Sequence, residues 1–304
     1  MISETGSWAD AYGGSGGDKN QIRAFFQPAN TSTYIGNLET MVPRIFAGHS
    51  YWGHGSDDSL RADRKALSNL CQTLLADPIE VWNTEWCALE SGTGFNVDDC
   101  SYFDLGLFMA KIIYADLELS NMSGWSFWTA LAPEMWGHKD RFNLIGLYPG
   151  YDYAYVDSGH DFPITVTGSI KSQPTLWALG NYSLFVRPGY KRVKIKGDCF
   201  DNHRGESQNM TKLMATAFIS PGFPVERIVV VYVNCDTRSY RVAAEFNDDL
   251  AIDVIQPRFI RSYRTDANNT GDRGGLGMRR EGHVDGMIYI PARSIYTVVY
   301  DFEY

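Results

Sequence analysis

Short apolar segments alternate with helix-length segments over roughly the first 187 residues, and this alternation limits most strongly what the chain can fold into. We predict strands at residues 1–6, 45–51, 79–86 and 122–131. We predict a helix at residues 57–76, where apolar side chains recur near the helical period. We predict two more at 101–120, after a capping region at Asp98 and Asp99, and at 172–186, with Pro174 near the first turn. Alternating strands and helices are typical of a parallel sheet covered by helices. The pattern predicts four βα units, half of the eight that close a TIM barrel.

The remainder of the chain has a different pattern, with β-branched runs separated by polar turns. Candidate strands lie at 190–196, 211–219, 227–234, 239–245, 251–254, 258–265, 286–290 and 294–302. Their spacing predicts an antiparallel β-sandwich, with a long exposed loop over 266–283. The predicted fold class is therefore α/β plus all-β, divided into a barrel-like domain over 1–188 and a β-sandwich domain over 189–304.

Charge and composition exclude several classes of partner. The net charge is -9 and no basic patch dominates, which argues against nucleic acid or an anionic membrane surface. No apolar run reaches the length of a transmembrane helix. The N-terminal residues lack the basic start and apolar centre of a signal peptide.

Polar and aromatic side chains cluster where each predicted parallel strand ends. The residues are Glu4 and Trp8, then His49, Tyr51 and Trp52, then Glu85 and Trp86, and finally Trp125 and Trp128. The carboxyl ends of such strands meet on one face of a barrel, where functional groups gather. Carboxylates and aromatic rings together suit a carbohydrate cleft, and the aromatic content of 14% fits either such a cleft or a large aromatic core.

Glu85 is the strongest candidate for a functional group, because a carboxylate inside an apolar strand is costly to bury without a purpose. The alternative is a Glu paired with an Arg in the barrel wall. His49 could equally be a hydrogen-bonded core histidine, and Tyr51 could orient the Glu85 carboxylate through a hydrogen bond.

The order of these motifs resembles glycoside hydrolase family 30. The run VWNTEW is similar to its nucleophile strand, GHSYW to the strand before it, and GWSFWTAL to its eighth strand. ISETGSW resembles the fifth strand, and LWALGNYSLFVRPGYKRV resembles the last barrel helix running into the side β-sandwich. The resemblance is nearest to the endo-β-1,6-galactanase-like branch, although a xylanase-like or glucosylceramidase-like specificity stays open.

The resemblance implies a retaining hydrolase in which Glu85 is the nucleophile. It implies that Glu4, His49, Tyr51 and Trp128 shape the adjoining sugar site. Trp86 is a further candidate for substrate binding, although Trp86, Trp125 and Trp136 each suit packing better than ligand contact. The expected partner is an oligo- or polysaccharide, with no metal and no cofactor, because such enzymes work with two carboxyl groups.

The family's acid/base motif, Asn-Glu-Pro, has no counterpart in this sequence. Glu90 and Glu134 lie in predicted loops that could approach the cleft. We therefore expect the chain to correspond to the C-terminal part of a glycosidase, to need a missing N-terminal half, and to hydrolyse little alone. We expect the intact protein to be secreted or periplasmic. The alternative is a non-catalytic glycan-binding or scaffold protein derived from the same fold.

Overall fold

A computed structural model describes the chain over most of its length. The described residues are 2–13, 20–27, 32–35, 44–74, 78–133, 141–149, 168–195, 210, 212–222, 224–246, 257–268, 277–281 and 287–302. The predicted strand 251–254 and the residues Glu134 and Trp136 lie outside them. Within these ranges, no helix is long and apolar enough to cross a membrane.

Four parallel strands form the first sheet, in the order in which they occur along the chain. They are β1 (Ile2–Ser7), β2 (Ile45–Tyr51), β3 (Glu80–Glu85) and β4 (Gly124–Trp125). The bounds of β2 confirm the predicted strand, and β1 and β3 lie within one residue of the predicted ends. Parallel neighbours that follow one another in the chain are the expected product of repeated βα units.

Helices cover one face of this sheet. They are α1 (Trp8–Tyr12), α2 (Gln21–Phe26), α3 (Asp57–Asn69) and α4 (Tyr102–Tyr114). Single π-helical turns, Leu70–Leu74 and Ala115–Leu119, continue α3 and α4, so the predicted helices 57–76 and 101–120 are largely confirmed. Ser56 and Ser101 each close a capping box at the start of α3 and α4, which satisfies free backbone N–H groups there.

The predicted strand 122–131 is wrong in its second half. Only Gly124 and Trp125 pair with β3, and from Thr129 the backbone turns to hydrogen-bond with Phe142 instead. The chain then forms a three-stranded sheet of β5 (Leu131–Pro133), β6 (Ile145–Pro149) and β7 (Gly168–Ser172). This sheet was not predicted, because its strands are short and lack a clear alternation of polar and apolar residues.

The predicted helix 172–186 appears as α5 (Pro174–Ser183), which begins with Pro174 in its first turn. A six-stranded antiparallel sheet follows, in the order β13-β12-β15-β10-β9-β8, with a separate pair β11-β14. The strands are β8 (Lys191–Val193), β9 (Leu213–Ile219), β10 (Arg227–Asn234), β11 (Tyr240–Val242), β12 (Phe259–Asp266), β13 (Arg279–Glu281), β14 (Ile288–Ile290) and β15 (Ser294–Asp301).

Most of these strands fall where the sequence predicts them, but β13 lies inside the predicted loop 266–283. It pairs with β12 along the sheet edge, where Arg264 also forms an ion pair with Glu281 at 3.3 Å. Three charged residues in succession do not read as a strand, because edge strands carry charge rather than apolar alternation.

The six-stranded sheet is buried on both faces. One face, which includes Val229 and Val299, packs in the same apolar cluster as α4 and α5. The other face, which includes Val230 and Val298, packs against Ile290 of the β11-β14 pair. The near-continuous apolar runs of β10 and β15 follow from this two-sided burial.

Candidate active site

The polar side chains of the site lie on strands β2 and β3, whose pairing is irregular at one point. Gly48 pairs with Asn83, but the next pair is His49 with Glu85, so Thr84 is an additional residue in β3. Paired residues of adjacent strands share a face, and this β-bulge therefore places Glu85 on the same face as His49. Bulges commonly re-aim side chains beside functional sites.

Glu85 is held through one of its two carboxylate oxygens. The Tyr51 hydroxyl donates a hydrogen bond of 2.9 Å to Glu85 Oε1. Burial raises the pKa of Tyr51, so the phenol remains protonated and keeps its donor. Among the described residues, none hydrogen-bonds to Glu85 Oε2, and the side chain is 33% exposed. One oxygen is thus fixed while the other can reach a ligand.

The buried thiol of Cys87 stands behind Tyr51, with Sγ 3.5 Å from the hydroxyl oxygen. Burial raises the pKa of Cys87 to about 11, so the thiol is protonated at neutral pH. Since the single Tyr51 proton points to Glu85, the thiol is the donor in this contact. Cys87 therefore supports the orientation of Tyr51, a role that strand-end position alone did not suggest.

His49 links two carboxylates. Its Nε2 lies 2.9 Å from Glu4 Oε2, and its Nδ1 lies 3.7 Å from Glu85 Oε1. The hydroxyl of Thr84, the bulge residue, also donates to Glu4 Oε2 at 2.7 Å. Glu4 is 52% exposed, so it is oriented by β2 and β3 while remaining open to solvent. The structure thus brings Glu4, His49, Tyr51 and Glu85 together, and their predicted roles in substrate binding and catalysis stay predictions.

Gly48 allows β1 to approach β2 closely enough for these contacts. A Cβ atom at this position would lie 2.7 Å from the Thr5 methyl group and 2.9 Å from the Trp8 ring. Real Cβ atoms do not come so close, so only glycine fits without moving β1. The pattern GHSY therefore combines a packing requirement with the polar residues that follow it.

The tryptophans at the strand ends differ in accessibility. Trp86 is fully buried and packs against Phe108, Trp125 and Phe127, with ring centroids 5.5, 6.1 and 6.3 Å away. Its contacts in this structure are packing contacts, and its predicted part in substrate binding stays a prediction. Trp128 is partly exposed, and its amide donates to the Trp86 carbonyl at 3.0 Å.

A fully buried carboxylate, Asp116, ties the strand ends together from the helical side. It accepts hydrogen bonds from Arg64 Nε at 2.6 Å, from Ser50 Oγ at 2.8 Å and from Trp125 Nε1 at 2.8 Å. Ser50 in turn accepts from Trp8 Nε1 at 2.8 Å. Charge-assisted bonds of this kind are the strong ones in a protein interior. The side chains of the neighbouring residues Ser50 and Tyr51 therefore lie on opposite faces of β2.

The position of Asp116 in the sequence carries a signal of its own. The predicted helix 101–120 is apolar on nearly every side, so a carboxylate in its interior, such as Asp116, needed a partner. The partner, Arg64, lies on the preceding helix and could not be identified without the fold. The same signal, a charge in an apolar run, did single out Glu85.

The arrangement of the site and the proteins that this chain resembles together indicate its family. Carboxylates at the carboxyl ends of helix-covered parallel strands are the arrangement of barrel-type enzymes. Residues 1–141 match the family model described as O-Glycosyl hydrolase family 30. The predicted resemblance to glycoside hydrolase family 30 is thus confirmed for this part of the chain. None of the curated proteins matches the sequence.

Solved structures with the same fold include a conserved exported protein from Bacteroides fragilis. The TM-score is 0.76 at 22% identity, covering 98% of this chain and 55% of that one. The catalytic domain of GH30 xylanase C from Talaromyces cellulolyticus gives a TM-score of 0.54 at 17% identity, covering 92% and 51%. An arabinose-bound GH51 α-L-arabinofuranosidase gives 0.51 at 10% identity, covering 87% and 38%.

These likenesses establish a fold related to the TIM-barrel glycosidases. Identities this low establish the fold alone. The chain spans about half the length of the Bacteroides fragilis protein and of the Talaromyces cellulolyticus catalytic domain.

Proposed function

We propose that this chain carries the nucleophile half of a retaining glycosidase that acts on β-linked glycans. The observation that carries the proposal is the hydrogen bonding of the Glu85 carboxylate. Tyr51 fixes its Oε1, and its Oε2 is open to a ligand. Its position at the carboxyl end of a parallel strand and the family match over residues 1–141 support the same role.

In the proposed reaction, Glu85 Oε2 attacks the anomeric carbon of the bound sugar. A bond forms between that oxygen and the carbon, while the bond to the leaving oxygen breaks through an oxocarbenium-like transition state. The electron pair of the broken bond stays on the leaving oxygen, which needs a proton. Water then passes a proton to the group that protonated the leaving oxygen and attacks the anomeric carbon, which breaks the bond to Glu85 and restores the original configuration at that carbon. The Tyr51 hydroxyl holds the carboxylate in the attacking orientation.

The proton donor is the second group that a retaining hydrolase needs, at about 5–5.5 Å from the nucleophile. Glu90, one of the two loop candidates, is engaged elsewhere: its Oε1 accepts the Trp52 amide at 2.7 Å and lies 3.3 Å from His54. Glu134, the other candidate, lies outside the described residues, and the sequence has no Asn-Glu-Pro motif, so we assign the acid/base to a carboxyl group outside this chain. The span of this chain, about half of its structural relatives, supports that assignment. This chain alone should hydrolyse natural glycans poorly.

The substrate we favour is a β-1,6-galactan, on the resemblance of the strand-end motifs. A xylan is the other candidate, because a xylanase is among the structures with this fold. We propose export for the intact protein, as in the Bacteroides fragilis relative. We also propose that 1–188 is the second half of a barrel and 189–304 a β-sandwich, which the two sheets packed around one apolar cluster support.

A trapping experiment tests the nucleophile without needing the acid/base group. The reagents are dinitrophenyl β-glycosides of galactose, xylose and glucose with fluorine replacing the hydroxyl beside the anomeric carbon. Dinitrophenolate leaves without a proton, and the fluorine slows breakdown of the glycosyl-enzyme. We expect one of the three sugars to add a single fluorosugar mass to the chain, on the peptide that contains Glu85.

Glu80→Gln is the matched control, because Glu80 is an exposed carboxylate at the other end of the same strand. It should be labelled like the parent chain, whereas Glu85→Gln should not be labelled. Labelling that persists in Glu85→Gln would remove the role of nucleophile from Glu85. A folded parent chain that no sugar labels would favour the non-catalytic glycan-binding alternative.

A further inference from the structure

Trp52, the residue that follows β2, has an unusual backbone for so large a side chain. Its φ is 63°, in the left-handed region, and the residue is 62% exposed. A bulky residue in this conformation is strained and persists only where its surroundings enforce it. An exposed tryptophan in an enforced conformation needs a reason other than core packing.

The enforcing contact comes from the loop after β3. Glu90 Oε1 accepts the backbone N–H of Trp52 at 2.7 Å. Glu90 itself is partly buried and lies 3.3 Å from the buried ring of His54. At the same junction, a Cβ on Gly92 would lie only 2.0 Å from the His54 carbonyl oxygen, so the two loops touch through their backbones. This junction fixes the main chain of Trp52 while leaving its indole in solvent.

The indole stands beside the Glu85 site. Its ring centroid is 6.4 Å from that of Tyr51, with the planes inclined at 55°. Tyr51 in turn donates to the Glu85 carboxylate. A sugar bonded to Glu85 would therefore have its neighbour in the glycan within reach of the indole. The apolar C–H face of a pyranose suits a flat aromatic surface of this kind.

We propose that Trp52 is a stacking platform for a pyranose ring of the glycan, at the sugar position next to the one at Glu85, and that Glu90 is the residue that positions it. This inference rests on the proposed function for the identity of the ligand. Trp52 confers affinity for chains of two or more sugars, and its fixed backbone removes the entropy cost of ordering the platform at binding.

Binding measurements on the whole chain test the platform separately from the reaction. The parent is Glu85→Gln, titrated in a calorimeter with β-1,6-galacto-oligosaccharides and with xylo-oligosaccharides of increasing length. Adding Trp52→Ala should weaken binding of the longer oligosaccharides about tenfold, since an aromatic contact contributes of the order of a kcal/mol. The loss should grow with length from the single sugar upward, and Trp52→Phe should restore part of it.

Glu90→Gln tests the positioning role, because the amide oxygen still accepts the Trp52 N–H without the charge. Glu90→Ala should weaken oligosaccharide binding several-fold, and Glu90→Gln should recover most of that loss. A merely structural role for Glu90 would lower affinity for single sugars and oligosaccharides alike. Tyr289→Ala is the control, because Tyr289 is a similarly exposed aromatic residue on β14, in the separate strand pair β11-β14. It should bind as the parent does.

The outcomes separate the two proposals. If the unmodified chain is trapped at Glu85 but Trp52→Ala binds long oligosaccharides as tightly as the parent, the platform is wrong and the nucleophile stands. If trapping fails while oligosaccharide binding depends on Trp52, the platform stands and the proposed reaction is wrong. A parent chain that binds none of the oligosaccharides overturns the platform.

Discussion

Removing the carboxylate of Asp116 should destabilise the fold more than any surface change, and the structure gives the reasons. Asp116 is fully buried and accepts hydrogen bonds from Arg64, Ser50 and Trp125. These three partners come from α3, β2 and β4. In Asp116→Ala the guanidinium of Arg64 stays buried and loses its 2.6 Å partner, while the two neutral donors lose an acceptor.

Removing one partner of a buried ion pair costs about 3–5 kcal/mol. Arg64 also contacts the Asp63 carboxylate, which compensates for part of the lost charge. Each buried donor left without an acceptor adds about 1 kcal/mol or more. We therefore expect Asp116→Ala to lower the free energy of unfolding by about 4 kcal/mol. Asp116→Asn should lose less, because its carbonyl oxygen can still accept from Ser50 or Trp125.

Urea unfolding followed by circular dichroism measures these changes, with linear extrapolation to water. Asp99→Ala is the charge-matched control: Asp99 is exposed in the loop before α4, and its loss should stay within about 0.5 kcal/mol. Adding Arg64→Met to Asp116→Ala removes the cation left without Asp116 but also takes Arg64 away from Asp63, to which Tyr12 still donates at 2.9 Å, so it should recover only part of the stability. If Asp116→Ala loses less than 1 kcal/mol, the buried pair does not hold the strand ends together.

Two further predictions concern the site itself. Tyr51→Phe should slow trapping at Glu85 about tenfold or more. The lost hydrogen bond orients the attacking carboxylate, and a hydrogen bond to a charged group is worth about 1.5–3 kcal/mol. An unchanged labelling rate would contradict this prediction. Burial and the nearby charge of an arginine lower the pKa of His54 from 6.5 to about 4. The unfolded chain therefore binds this proton at higher pH than the folded one, and the contribution of His54 to stability falls by about 3 kcal/mol as the pH drops from 6.5 to 4. The stability difference between the parent and His54→Gln should follow that change, and a difference independent of pH would refute it.

The sequence allowed the main elements to be predicted where one physical cause dominates. Helix α3 follows from apolar periodicity, helix α4 from a long apolar segment behind a capping region, and strands β2 and β10 from short apolar runs. The site residue Glu85 could be singled out because burial of a carboxylate in a strand is costly. Each of these predictions needs only residues that are neighbours in the chain.

Features that depend on contacts between distant segments could not be predicted. The ion pair of Arg64 with Asp116 joins two helices that pack side by side on one face of the sheet, and nothing local to either residue specifies it. The predicted strand 122–131 ends early because Thr129 finds a partner at Phe142. The exposed conformation of Trp52 likewise depends on a carboxylate 38 residues away, Glu90.

The bulge at Thr84 explains how the short strand β3 places side chains both in the buried layer below the helices and on the open face of the sheet. Asn83 accepts the Ser50 amide on the helical side, in the same buried layer as Asp116. In a regular strand the partner of His49 would be Thr84, and Glu85 would then face that buried layer with Asn83. Because the bulge inserts one residue, both Thr84 and Glu85 instead reach the open face, where one orients Glu4 and the other meets Tyr51. The placement of the proposed nucleophile is therefore a property of strand register, and the residue type at position 85 would have no chemical use without it.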